Sequence, residues 1–196
     1  MIDLTNDCEM LVLSEENSIS DFDCGNEDLN DFFNRDAILY KQHMLSRTCF
    51  YRHKSSGEIV CAFSFSASSI KTADLPGSRR KKVKEHIPRE KSLKSYPAIL
   101  IGRLGVATKY NGQGVGSQLI GIIKTYCLFN FPDVVRFMAV DAYNEPAVIA
   151  FYQKNYFIPV FSTDEQEKEA YKQKTEEELR TRYMFYDLML WRDRME

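Results

Sequence analysis

Long apolar runs are missing from this chain of 196 residues, and none approaches the roughly 20 residues that span a bilayer, so no membrane segment is expected. Paired cysteine patterns are missing too. The five cysteines, at 8, 24, 49, 61 and 127, are odd in number, scattered and without a C-x-x-C, which argues against both a disulfide framework and a zinc site. His43, His53 and His86 show no metal-ligand spacing, so no metal is expected. The first seven residues carry Asp3 and Asp7 and do not resemble a signal peptide, and a reduced, cytoplasmic protein is the expectation. Basic residues are almost absent from 1–36, where Arg35 stands against eleven acids. Residues 79–94 reverse this with eight bases against two acids, so the net charge of −2 hides a strong segregation. That basic run contains no aromatic residue, which speaks against base stacking. A solvated loop and an electrostatic footprint for a polyanion both remain open for it.

What is present suits one soluble globular domain spanning 1–196, with 44% hydrophobic and 28% charged residues. Residues 9–13 read as a short strand, and 22–44 as two short helices with apolar positions at mixed three- and four-residue spacing. The β-rich runs 47–53 and 58–66 flank Lys54-Ser55-Ser56-Gly57, a hairpin signal. The basic segment reads as an irregular connection with one helical turn around 80–86. Strands are expected at 98–107, 134–142, 156–162 and 183–191. A short helix at 145–155 is entered through Pro146, and 164–179 reads as an exposed, helical, charged insertion. The order of elements gives an α+β fold with a mixed, mostly antiparallel central sheet flanked by helices.

The richest stretch is 101–117. An apolar run breaks at Asn111-Gly112-Gln113-Gly114-Val115-Gly116-Ser117, and an amphipathic segment, 118–129, follows at once. Glycines at 112, 114 and 116 remove side chains that would keep a ligand off the backbone, and the N–H groups of the turn and helix start suit an anion such as a pyrophosphate. A P-loop would end in Gly-Lys-Ser/Thr, but Ser117-Gln118 follows Gly116. A dinucleotide fingerprint needs two residues between its second and third glycines, and here there is only Val115. Asn111-x-x-Gly114-x-Gly116 instead resembles the Q/R-x-x-G-x-G/A signature of the GNAT acetyltransferases, with Asn111 in place of the usual Gln or Arg.

A second segment, 140–157, resembles the GNAT pattern in which a strand ends near an Asn and a short helix carries Phe-Tyr before a Gly-Phe turn, here with Tyr156 in place of the Gly. The resemblance implies a GNAT-like fold, acetyl-CoA as cosubstrate and no metal. It also implies that 111–117 hold the pyrophosphate, that Asn144 contacts the pantetheine arm, and that the Tyr152 hydroxyl lies near the thioester sulfur as general acid. Packing of Tyr152 beside Phe151 and N-capping by Asn144 are the competing structural readings. In the family a break in strand pairing at Leu104-Gly105-Val106 supplies N–H groups to the oxyanion, and Gly105 suits such a bulge. The segment 102–106 has no carboxylate, whereas many protein-lysine acetyltransferases carry a glutamate base there. A lysine with pKa about 10.4 needs such a base, while an α-amine near 7.7–8.0 does not, so the acceptor is expected to be a low-pKa amine. Asp141 and Asp187 are candidate bases through water, or else ordinary polar residues at strand ends.

Gly102-Arg103-Leu104-x-Val106 and the opening Phe22-Asp23-Cys24-Gly25-Asn26-Glu27-Asp28-Leu29-Asn30-Asp31-Phe32-Phe33 narrow the resemblance to the acetyltransferase toxins of bacterial type II toxin–antitoxin pairs. Those toxins acetylate the α-amino group of aminoacyl-tRNA and are restrained by a small ribbon-helix-helix antitoxin. By resemblance, Arg79, Arg80, Lys81, Lys82 and Lys84 contact tRNA phosphates, and the chain pairs with such an antitoxin and forms a homodimer. Two other functions stay open: acetylation of a small amine or peptide N-terminus, and acyl-CoA binding without catalysis.

Overall fold

The computed structural model describes residues 1–73, 75–87, 93–174 and 176–195. Seven strands, β1 (Cys8–Val12), β2 (Arg47–His53), β3 (Ile59–Lys71), β4 (Ser95–Val106), β5 (Phe137–Tyr143), β6 (Ile158–Pro159) and β7 (Thr181–Asp187), lie in the sheet order β1-β2-β3-β4-β5-β7-β6. The pairs β1–β2, β2–β3, β5–β7 and β6–β7 are antiparallel. The helices are α1 (Glu27–Asp31), α2 (Ala37–Gln42), α3 (Gly77–Lys84), α4 (Val115–Asn130), α5 (Pro146–Lys154), α6 (Asp164–Ala170) and α7 (Met189–Met195). This is the expected α+β architecture. Contacts divide the chain into two compact units, Met1–Ser66 with Ile101–Tyr126, and Ala67–Leu100 with Cys127–Glu196.

In the first unit the hairpin signal is realised: Gly57 adopts φ +74°, and its N–H donates to His53 O at 2.9 Å. A π-helical turn, Phe32–Asp36, joins α1 to α2, so 27–42 forms one continuous helical run where two separate helices were expected. It buries Phe32 and Phe33, and Phe33 meets Phe22 edge to face at 5.4 Å. Short polar side chains fix the opening motif. Asn30 Oδ1 accepts from Cys24 N, Asn34 exchanges two hydrogen bonds with the Phe22 backbone, and Asn26 caps α1 through Leu29 N. Gly105 packs beneath this motif, and a Cβ there would lie 3.1 Å from both Cys24 Sγ and Phe22 Cε1.

The second unit departs further from expectation. The basic segment contains a helix, α3, rather than an irregular connection, because buried Val83 anchors it among Ile70, Tyr96, Phe137 and Phe161. Arg89 and Lys91 of that segment lie outside the described residues. Among the described residues of 164–179 only Asp164–Ala170 is helical, and the segment is not simply exposed: Glu167 is 1% exposed, Leu179 is buried, and Lys172 turns the chain at φ +55°. The expected strand at 156–162 shrinks to two residues. The aromatic run at 183–191 stops as a strand at Asp187, whose carboxylate accepts from Met189 N and starts α7. All five cysteines are free thiols, and all but Cys24 are buried.

Gly105→Ala is expected to cost about 1–3 kcal/mol, because the new methyl must displace packed Cys24 and Phe22. Urea unfolding of the two proteins measures this, and equal stabilities would contradict the packing role.

Candidate functional site

Between β4 and α4 the chain makes a single 3₁₀ turn, Thr108–Tyr110, then the glycine turn. Gly112 and Gly114 adopt φ +74° and +80°, a left-handed backbone that side-chain-bearing residues rarely take. A Cβ at either would meet nothing within 4 Å, so the space above them is open. Gly114 O accepts from Ser117 N and Gln118 N as the helix begins. Among the described residues, the N–H groups of Gly112, Gln113, Gly114, Val115 and Gly116 have no acceptor. Five open donors thus precede a helix of 16 residues, whose dipole adds partial positive charge at the same end.

The base of the turn is fixed. Ala107 N donates to Val60 O, and Thr108 N to Asp23 O. The Glu58 carboxylate takes Lys109 Nζ at 2.7 Å and Tyr110 Oη at 3.0 Å, and these hydrogen bonds hold its pKa below the usual value. Sequence reading missed Glu58, since nothing in the Lys54–Gly57 turn signals a partner some fifty residues ahead. Leu104, Gly105 and Val106 end β4, which runs without interruption to Val106. Gly105 is buried, whereas Gly102, Arg103 and Leu104 are half-exposed.

In the second unit, α5 starts with Pro146 at its first turn and Glu145 as N-cap, so Asn144 is not the cap. Asn144 instead directs its Nδ2 to Asp164 Oδ2 at 2.8 Å and to Leu179 O at 3.1 Å. Tyr152 is buried, with Phe151 and Phe157 edge to face at 5.0 and 5.5 Å. Its hydroxyl has no hydrogen bond among the described residues, and burial pushes its pKa well above the ordinary phenol value. Tyr156, where the family pattern has glycine, takes φ +68° just past α5 and stacks under Arg194 at 4.6 Å.

The five basic candidates separate into two groups. Arg79 donates to the carbonyls of Pro159 and Val160, and Arg80 to those of Thr72, Ala73 and Leu75. Both guanidinium groups fasten α3. Lys81 and Lys82 are exposed, with Lys82 paired to Glu85 at 2.6 Å, and Lys84 is half-buried. Asp187 is 8% exposed, paired with Arg136 at 2.7 Å and capping Met189 N, which makes it a structural carboxylate rather than a free base. Asp141 is exposed on β5.

Substituting Gly114 by Ala is expected to cost stability about 1–2 kcal/mol through its left-handed backbone. The same methyl projects into the open space above the turn, so on the acetyl-CoA expectation from the sequence CoA affinity should fall at least roughly tenfold. Urea unfolding and calorimetric titration with CoA separate the two effects, and unchanged affinity would remove the turn from the ligand site.

No family model matches the chain. The tRNA-acetylating toxin of Mycobacterium tuberculosis is 28% identical over 108 residues, 55% of this chain and 58% of that protein, so the match spans little more than half of that relative. AtaTR bound with AcCoA superposes with TM-score 0.72 at 18% identity, over 97% of this chain and 99% of that one. AtaT complexed with acetyl-methionyl-tRNAfMet gives 0.69 at 19%, over 97% and 100%. A mutant of KacT gives 0.70 at 19%, over 96% and 99%. The GNAT-like fold expected from the two glycine- and tyrosine-bearing segments is therefore the fold of this chain, shared along nearly its whole length with the AtaT toxin and KacT.

Proposed function

We propose that the chain is an acetyl-CoA-dependent N-acetyltransferase of toxin type that modifies the α-amino group of aminoacyl-tRNA. The five open N–H groups at 112–116 carry this reading, because a diphosphate supplies the acceptors they lack. Asn111 and Ser117 flank that cradle. By the family resemblance, Asn144 takes the pantetheine arm and the Leu104-Gly105-Val106 backbone supplies N–H groups to the acetyl carbonyl oxygen. The similarity to a tRNA-acetylating toxin supports the acceptor.

The lack of a carboxylate at 102–106 and the engagement of Asp187 with Arg136 favour an acceptor that arrives as a neutral amine. An α-amine near pKa 7.7–8.0 meets that need without a protein base. Tyr152 stays protonated across the working pH range because burial raises its pKa, so it donates to the sulfur as the carbon–sulfur bond breaks. On the tRNA side we assign phosphate contacts to Lys81, Lys82 and Lys84, with Arg79 and Arg80 holding α3 in place. A small ribbon-helix-helix antitoxin is the proposed partner, a homodimer the proposed assembly and the cytoplasm the proposed compartment.

Free-thiol release from acetyl-CoA tests the reading. Turnover is expected with charged tRNA and not with deacylated tRNA, while turnover only on free amines or peptides would overturn the tRNA acceptor. In the same assay Tyr152→Phe is expected to lower kcat roughly 10²–10⁴-fold with CoA affinity nearly unchanged. The alkaline side of the wild-type pH profile should show no loss from Tyr152 through pH about 10, because its pKa is raised rather than lowered. Combined Lys81, Lys82 and Lys84 to Ala substitutions are expected to raise KM for tRNA and flatten its salt dependence at unchanged Tm. Arg80→Ala should instead lower Tm, having removed the donor to three carbonyls.

A further inference from the structure

The chain between Ser162 and Arg182 has no part in the chemistry above, yet it governs the side chain of Asn144. Both amide protons of Asn144 are committed, one to Asp164 Oδ2 at 2.8 Å and one to Leu179 O at 3.1 Å. A carboxylate and a backbone carbonyl can only accept, so the orientation of the amide is fixed: nitrogen toward α6, oxygen away from these two partners. The Asn144 backbone is held as well, its N–H donating to Arg180 O at 2.9 Å. Among the described residues, Oδ1 of Asn144 accepts no hydrogen bond and is the one open polar atom of the side chain.

Asp164 is itself fixed. Its Oδ1 is ion-paired with Arg182, whose Nε reaches Glu167 Oε2 at 2.7 Å and whose remaining nitrogen reaches Phe161 O at 3.0 Å. Glu167 closes the chain of contacts by accepting from Tyr183 N at 2.6 Å. Arg182 and Glu167 are 12% and 1% exposed, whereas Asp164, which links them to Asn144, is 39% exposed, so the network runs from the interior to a half-exposed carboxylate. Thr163 caps α6 through Gln166 N, and Gln166 reaches back to Ser162 N, which pins the helix start that bears Asp164.

We propose that Asp164 on α6, together with the main-chain carbonyls of Leu179 and Arg180, forms a clamp that presets Asn144 as a hydrogen-bond acceptor for an amide N–H of the pantetheine arm, with Asp164 as the positioning residue. This rests on the acetyl-CoA reading. An unrestrained asparagine offers either end of its amide, and ordering it on binding weakens the ligand, whereas a preset acceptor spares that cost. The clamp also gives the insertion a purpose, since without it Asn144 would have no acceptor for its two N–H protons on this side.

Calorimetric titration of the full chain with CoA tests the clamp. Asn144→Ala is expected to weaken CoA roughly 5–10-fold, the worth of one hydrogen bond. Asp164→Ala is expected to weaken it by a similar factor, and Asp164→Asn, which still offers Asn144 an oxygen, to recover most of the loss. The double substitution of Asn144 and Asp164 by Ala should bind no more weakly than Asn144→Ala alone, a coupling that general loosening of the fold would not produce. Multiplying penalties, normal binding by Asp164→Ala, or normal binding by Asn144→Ala would each overturn the clamp while wild-type CoA binding left the acetyltransferase reading intact. Failure of the wild-type chain to bind CoA would overturn both. If Asp164→Ala does not fold, Asp164→Ser, too short to reach Asn144, takes its place in the same cycle.

Discussion

A backbone turn proposed to hold phosphate must satisfy two opposed demands: its N–H groups have to stay unpaired, and they have to stay in place. With those donors unpaired, the turn holds itself only through Gln113 Nε2, which donates to Lys109 O at 3.2 Å, and Gly114 O, which accepts from Ser117 N and Gln118 N, so its position comes largely from its flanks. Upstream, Ala107 and Thr108 are tied to Val60 and Asp23, and Lys109 and Tyr110 converge on Glu58. Downstream, Gln118 in the first turn of α4 is pinned by Leu4 N at 3.1 Å and Ile2 O at 3.0 Å. Every one of these partners is distant in sequence, so the cradle takes shape only when the first unit has folded as a whole.

That dependence explains which parts of the molecule could be read from the sequence. The glycine turn, the Lys54–Gly57 hairpin and the proline-led start of α5 are local, set by backbone preferences of a few adjacent residues, and they form where expected. The glycine at 105 was legible as unusual but not for its reason, which is the approach of Phe22 and Cys24 from eighty residues earlier. Around 183–191 an apolar aromatic run suits a strand or a helix equally, and the change from one to the other depends on the Asp187 carboxylate turning back to Met189 N. The role of 164–179 was invisible for the same cause: Asp164, Glu167, Arg182 and Asn144 look like ordinary polar residues until β7 and α6 bring them together.

Charge density proved a poor guide to which cations are free. Arg79 and Arg80 head the most basic run in the chain, yet their guanidinium groups serve five main-chain carbonyls. A planar, multi-donor cation suits that task better than lysine does, and Lys81 and Lys82, which follow, are the ones left facing solvent. Neighbouring residues of one sign thus divide between building the surface and presenting it.

The state of the thiols bears on a hazard that any thioester-handling protein faces, self-modification by exchange of the acyl group onto its own sulfur. Only a thiolate attacks a thioester readily, and burial raises the pKa of every cysteine here, to about 11 at Cys49 and about 12 at Cys127. Cys24, the one not buried, donates its thiol S–H to Asn30 Oδ1 at an Sγ–Oδ1 distance of 3.2 Å, beside Gly105. On the proposed function, with its sulfurs held as thiols, the chain would offer an activated acyl group few internal competitors for the acceptor.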